Sequence, residues 1–193
     1  MHTRHIASGE LLYASQTGVF PRMMRLHPSG SSLLVAGGAV NEAYLLHAPD
    51  LIRENTIQTK SACFAADFWQ GGLVLVCAGQ GDDIQTIVYS LSPNAVRPKK
   101  LIDLPGQPGG LCVCPDGQTA LLSTPDGLMK LDLTSGKLLW NLPEWPLCMQ
   151  LRCRGAMALV SETLTGQVCL LAHEKPWLAR ILCSGDDPQA CFC

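Results

Sequence analysis

The sequence predicts an all-β fold, a β-propeller of four-stranded antiparallel blades. Three observations point to it. A glycine turn recurs about every forty residues: Pro28-Ser29-Gly30, Gly71-Gly72, Pro115-Asp116-Gly117 and Arg154-Gly155, with the last glycines 42, 45 and 38 residues apart. Each turn lies between two short apolar runs, and Pro21, Pro108, Pro146 and Pro188 keep the same period. A period near forty with several short strands per unit marks a propeller. Finally, no stretch carries the i, i+3, i+4, i+7 apolar spacing of a capped helix.

Each unit resolves into four strands, a to d. Strand b is plainest. Residues 32–37, 73–78, 119–123 and 157–161 are nearly continuous apolar runs, as expected of a strand covered on both faces. Strand c follows a polar or glycine-rich turn, at 43–47, 86–91, 128–133 and 167–172. Such turns tolerate the positive φ that a tight hairpin needs. Strand d closes each unit at 52–58, 101–104, 138–142 and 178–183. The nearest approach to a helix, residues 50–55, reads as turn or strand. Strand a opens each unit with an alternating pair: Met24 and Leu26, Ala66 and Phe68, Leu111 and Val113, Met149 and Leu151. Spacing of two puts each pair on one face.

The ends extend the pattern. Residues 3–7 and 11–16 resemble strands c and d, and residues 188–193 resemble strand a, with Cys191 and Cys193 at the paired places. The expectation is one domain over residues 1–193. It holds four full repeats (21–59, 60–106, 107–145 and 146–187) and a split fifth blade made by 1–20 with 188–193. Strand b of that blade is missing. Three readings follow: a short blade, two chains meeting as a dimer, or a natural chain that runs on past Cys193.

The 193 residues are 47% hydrophobic and 16% charged, with a net charge of −2. A chain of this size and composition buries one core and is too apolar for disorder. The lone basic cluster, Arg97-Pro98-Lys99-Lys100, reads as a solvated loop, so no nucleic-acid partner is expected. There is no run of 18 apolar residues and no apolar segment behind Met1-His2-Thr3-Arg4-His5. Neither a membrane partner nor a signal peptide is expected. Of ten cysteines most sit in apolar runs, which fits buried free thiols and a cytoplasmic location. Cys112-x-Cys114 is too narrowly spaced for the usual zinc pair, and no metal centre is assigned.

Residues 108–142 resemble a YVTN-type propeller repeat. The match runs from Pro108 through Cys114-Pro115-Asp116-Gly117 to Asp132-Leu133-Thr134-Ser135-Gly136-Lys137. The other units match in outline only. The resemblance implies a propeller fold, WD-repeat-like in plan. Similar repeats serve lactonases, quinoprotein-like domains and non-catalytic binding proteins, so the fold does not choose among them.

No nucleophile elbow, phosphate loop or EF-hand loop is present. His47 and His173 fall at matching ends of strand c and read as repeat positions, and His27 reads as a turn cap. Propellers in general bind ligands on the end that carries the d-to-a and b-to-c connections. That rule selects Arg22, Glu42, Asp82, Asp126, Trp145, Glu162 and Asp186 as the ligand-binding candidates. Converging carboxylates suit Ca²⁺, whereas turn acids equally serve local hydrogen bonds. The leading expectation is a non-catalytic scaffold that binds a protein or small-molecule ligand on that face. The alternatives are a lactonase-like metal-dependent hydrolase and a truncated segment of a larger propeller.

Overall fold

The computed structural model describes residues 2–4, 8, 10–17, 20–70, 72–79, 85–92, 95, 97–162 and 166–184, with side chains at all but 2–4, 162 and 176–184. Among these residues there are eighteen strands and no helix. A hairpin of β1 (His2–Arg4) and β2 (Leu11–Ala14) comes first. Four antiparallel sheets follow, each four strands long in simple meander order. Blade 1 is β3 (Met23–Leu26), β4 (Ser32–Ala36), β5 (Glu42–His47) and β6 (Arg53–Gln58). Blade 2 is β7 (Cys63–Trp69), β8 (Gly72–Ala78), β9 (Gln85–Leu91) and β10 (Lys99–Pro105). Blade 3 is β11 (Leu111–Val113), β12 (Thr119–Thr124), β13 (Gly127–Asp132) and β14 (Leu138–Leu142). Blade 4 is β15 (Cys148–Arg154), β16 (Met157–Glu162), β17 (Gln167–Ala172) and β18 (Lys175–Ser184). The sheets are arranged as a four-blade propeller.

A meander with two apolar faces hides both only by leaning on neighbours. Alternation sorts the side chains between three such seams. Leu34 and Ala36 of blade 1 meet Ala66, Leu75 and Cys77 of blade 2. The other face of blade 2, Ala65, Val74, Val76 and Val88, meets Leu111, Ala120, Leu122 and Leu131 of blade 3. Cys112, Leu121 and Leu128 of blade 3 meet Leu151, Ala158, Val160 and Leu171 of blade 4. The b-to-c and d-to-a connections also bind blade to blade. Gly38 N–H donates to the Cys63 carbonyl at 2.9 Å, Leu147 N–H to that of Thr124 at 3.1 Å, and Cys148 N–H to Ser123 Oγ at 2.6 Å.

Two expectations are corrected. Met24, Ala66 and Leu111 pair across to Val35, Leu75 and Leu122, and the equivalent pair in blade 4 is Leu151 with Val160. The matching residues of the fourth unit are therefore Leu151 and Cys153, not Met149 and Leu151. A bulge between Cys148 and Gln150 and a two-residue turn at Gly155-Ala156 shift the strand along the sequence. Lys99 and Lys100 begin β10 instead of lying in a loop. An outer strand has one solvated face, and the Lys100 ammonium lies 2.5 Å from Asp103, an arrangement that suits a sheet edge. Residues 188–193 lie outside the described residues. Met24 and Leu26 on β3 point away from blade 2 and are 52% and 59% exposed.

Candidate functional site

The residue between each pair on strand a occupies one level around the axis. These are Arg25, Asp67, Cys112 and Arg152, opposite Leu34, Val74, Leu121 and Leu159. Arg25 reaches across the centre. Its Nε donates to Asp67 Oδ2 at 3.4 Å, and its Nη2 to the carbonyls of Leu111 at 2.8 Å and Leu151 at 3.4 Å. Nη1 donates to the carbonyl of Met24 at 3.3 Å. Asp67 Oδ2 also accepts from Val113 N–H at 2.9 Å, and Oδ1 from Phe68 N–H at 2.8 Å. One guanidinium thus touches the inner strand of every blade. The two side chains are only 10% and 12% exposed. Burial pushes the Asp67 carboxyl above its usual range, against the pull of Arg25 and the two backbone N–H groups.

A second cluster lies in the seam between blades 3 and 4. Cys112 and Cys114 face blade 4, and Cys153 faces back from β15. Cys153 N–H donates to Cys112 Sγ at 3.2 Å. The Cys153 thiol hydrogen-bonds both other sulfurs, which lowers the Cys112 thiol, brings that of Cys114 down to about 7 and raises its own. The Thr119 hydroxyl also bonds to Cys114, and the charges of His173 and Lys130 act on it. Lys130 is buried, with its ammonium on Glu174 and 3.5 Å from His173 Nδ1. His173 Nε2 donates to the carbonyl of Gly155 at 2.9 Å. Among the described residues no group of three or more His, Cys, Asp or Glu is arranged to hold a metal ion.

The expected ligand residues keep local partners. Arg22 is exposed, with its guanidinium 5.0 Å from the centre of the Phe64 ring. Glu42 accepts from the Tyr44 hydroxyl at 2.6 Å and from Gln58 Nε2 at 2.8 Å. The Tyr44 bond leads in lowering the Glu42 carboxyl, while burial leads in raising Tyr44 to about 12. Asp126 is an exposed turn residue whose N–H donates to Thr124 Oγ1 at 3.2 Å. Trp145 packs into the seam between blades 3 and 4. Asp82, Asp186 and the side chain of Glu162 lie outside the described residues. Arg22, Glu42, Asp126 and Trp145 stand on the end carrying the d-to-a and b-to-c connections, and among the described residues no hydrogen bond or ion pair joins them to one another.

Two cavities lie between blades 1 and 2. One, of about 510 Å³, is lined by Gln58, Thr59, Lys60, Tyr89, Arg97 and Pro98. The other, of about 390 Å³, takes in His27, Asn55, Phe68, Trp69 and Gln70. It opens on the end with the a-to-b and c-to-d turns, opposite the end read from the sequence. The rings of His27 and Phe68 meet edge to face there, 4.8 Å apart. The axial level was legible in principle: a charged residue stands between two apolar ones in strand a of both the first and second units.

No family model matches the chain, and no curated protein matches it either. Solved structures do. The periplasmic gluconolactonase PpgL of Pseudomonas aeruginosa is similar over 98% of this chain and 64% of its own, with TM-score 0.68 and 16% identity. The Cps50 (Swd1) β-propeller domain of Myceliophteria thermophila is similar over 86% and 58%, with TM-score 0.62 and 14% identity. Hydrazine synthase of Kuenenia stuttgartiensis is similar over 90% and 53%, with TM-score 0.64 and 11% identity. The chain thus spans between half and two thirds of the length of these structures. Likeness at such identity shows the propeller fold and nothing finer.

Proposed function

We propose that the chain is a propeller scaffold that works by binding a partner, without chemistry of its own. The observation that carries this reading is the filled axis. Arg25 and Asp67 direct their hydrogen bonds to each other and to the backbone of the inner strands. That is the wiring of a rigid hub, and it leaves the pair committed to the fold. The partner surface we favour is the cavity beside His27 and Phe68. Its aromatic walls and the amides of Asn55 and Gln70 suit a peptide segment with one apolar anchor. We read residues 108–142 as a YVTN-type repeat. The support is that its motif acids do turn work: Asp116 accepts from Gln118 N–H, Thr119 N–H and the Thr119 hydroxyl, and Asp132 from Ser135. We place the protein in a reducing cytoplasm on the strength of the seven cysteines whose side chains are described, all free thiols.

Peptide-display selection against the purified protein, followed by titration of the selected peptides, tests the reading. Asn55→Arg narrows the cavity mouth from an exposed position and is expected to weaken binding at least tenfold. Turnover of lactones or esters by the same preparation, dependent on Ca²⁺ or another divalent cation, would establish the lactonase-like hydrolase instead. A second reading, a segment of a larger propeller, is favoured by the span of the matched structures and by the apolar exposure of Met24 and Leu26. It predicts self-association of the isolated chain in light scattering. A monomer at every concentration contradicts that second reading.

A further inference from the structure

The thiols between blades 3 and 4 have no part in the binding role. We propose that Cys114 and Cys153 form a peroxide-oxidisable pair that closes to an inter-blade disulfide, with hydrogen peroxide as the oxidant. The geometry carries this. Cys112 and Cys114 sit two apart on the same face of blade 3, and Cys153 opposes them from β15. The approach is close, since Cys153 N–H donates to Cys112 Sγ at 3.2 Å and the Cys153 thiol is within hydrogen-bond reach of the Cys114 sulfur. Cys112 and Cys114 are 5% and 2% exposed, whereas Cys153 is half-buried. A small oxidant therefore meets a covered pair of thiols through one partly open neighbour.

Cys114 rather than Cys112 is the attacking group, because the Thr119 hydroxyl, Lys130 and His173 stand on its side of the cluster. These groups favour the thiolate, the nucleophilic form. The Cys114 thiolate attacks one oxygen of the peroxide, breaks the O–O bond and expels hydroxide, leaving a sulfenic acid. Hydroxide takes the proton of the Cys153 thiol and becomes water. The Cys153 thiolate then attacks the Cys114 sulfur and expels a second hydroxide, which leaves as water with a proton from solvent. In sum, two thiols and one peroxide give one disulfide and two waters. The bond ties the inner strands of blades 3 and 4, and thiols reverse it.

The test is peroxide treatment of the intact chain, alkylation of the remaining thiols and mass spectrometry of a non-tryptic digest. The expected product is a Cys114–Cys153 cross-link with the loss of two hydrogens, removed by dithiothreitol. Cys153→Ser should abolish it and leave Cys114 as sulfenic or sulfinic acid. Cys112→Ser should retain it. Oxidised wild type should unfold at a higher temperature than reduced wild type, and oxidation of Cys153→Ser should bring no rise. If Cys153→Ser fails to fold, Cys114→Ser answers the same question by losing the cross-link. Peroxide-treated wild type with Cys153 still open to alkylation, or a cross-link that survives Cys114→Ser, overturns the proposal. Neither result bears on peptide binding at the distant cavity.

Discussion

At the scale of single residues, charge placement decides stability. Asp132 is held below the usual carboxylate range first by the Ser135 hydroxyl, Glu42 first by the Tyr44 hydroxyl, and Glu174 first by Lys130. A lowered folded-state pKa means stabilisation that is present above the unfolded value and lost as pH falls through the folded one. Stability should thus decline below about pH 4, the ordinary carboxylate range. Thermal unfolding followed from pH 6 to pH 2.5 checks this, and Asp132→Asn should show a shallower decline. Asp67 acts in the opposite sense. Its pKa is raised, so its ionisation opposes folding as pH climbs above the unfolded value. In Asp67→Asn that opposing contribution is gone. The turn acids were legible, because Asp before Gly or Ser in a polar gap has a local task. Arg25 and Asp67 carried only the mark of a lone charge between apolar pairs, and their pairing was hidden because distant partners leave no local trace.

At the scale of elements, the strands were legible and their register less so. Strands b and c read correctly from apolar runs, since burial on both faces favours apolar residues and admits polar ones, such as Lys130 and Ser123, only at a few places. The shift in the fourth unit was hidden, because a bulge has no apolar signature. Turns differ in how much they tolerate. Gly127 has φ near 131°, and a Cβ there would lie 2.4 Å from the Leu142 carbonyl oxygen. Gly155 has φ near 55° with open space around it. Gly127→Ala must therefore move the backbone of β14 and should cost roughly 3 kcal/mol or more. Gly155→Ala meets only the left-handed penalty of about 1–2 kcal/mol. Urea unfolding of the two variants compares them directly.

At the scale of the whole molecule, repetition foretold a ring of meanders, and nothing in the period foretold what would meet at its centre. The candidate ligand residues were chosen by face, and the cavity beside His27 and Phe68 opens on the other end. Convergence on an axis depends on pairings between residues 42 and 126 positions apart, such as Arg25 with Asp67 and with Leu151, which no local window contains. The hub makes a sharp claim about energy. Removing one partner of a buried pair strands the other charge, at about 3–5 kcal/mol. A double-mutant cycle in urea with Arg25→Met, Asp67→Leu and both together measures the link across blades 1 and 2. The structure predicts single losses that are strongly non-additive, with coupling of about 1.5 kcal/mol or more. Additivity within about 0.5 kcal/mol would show that the two side chains do not meet, and the axial hub would be wrong.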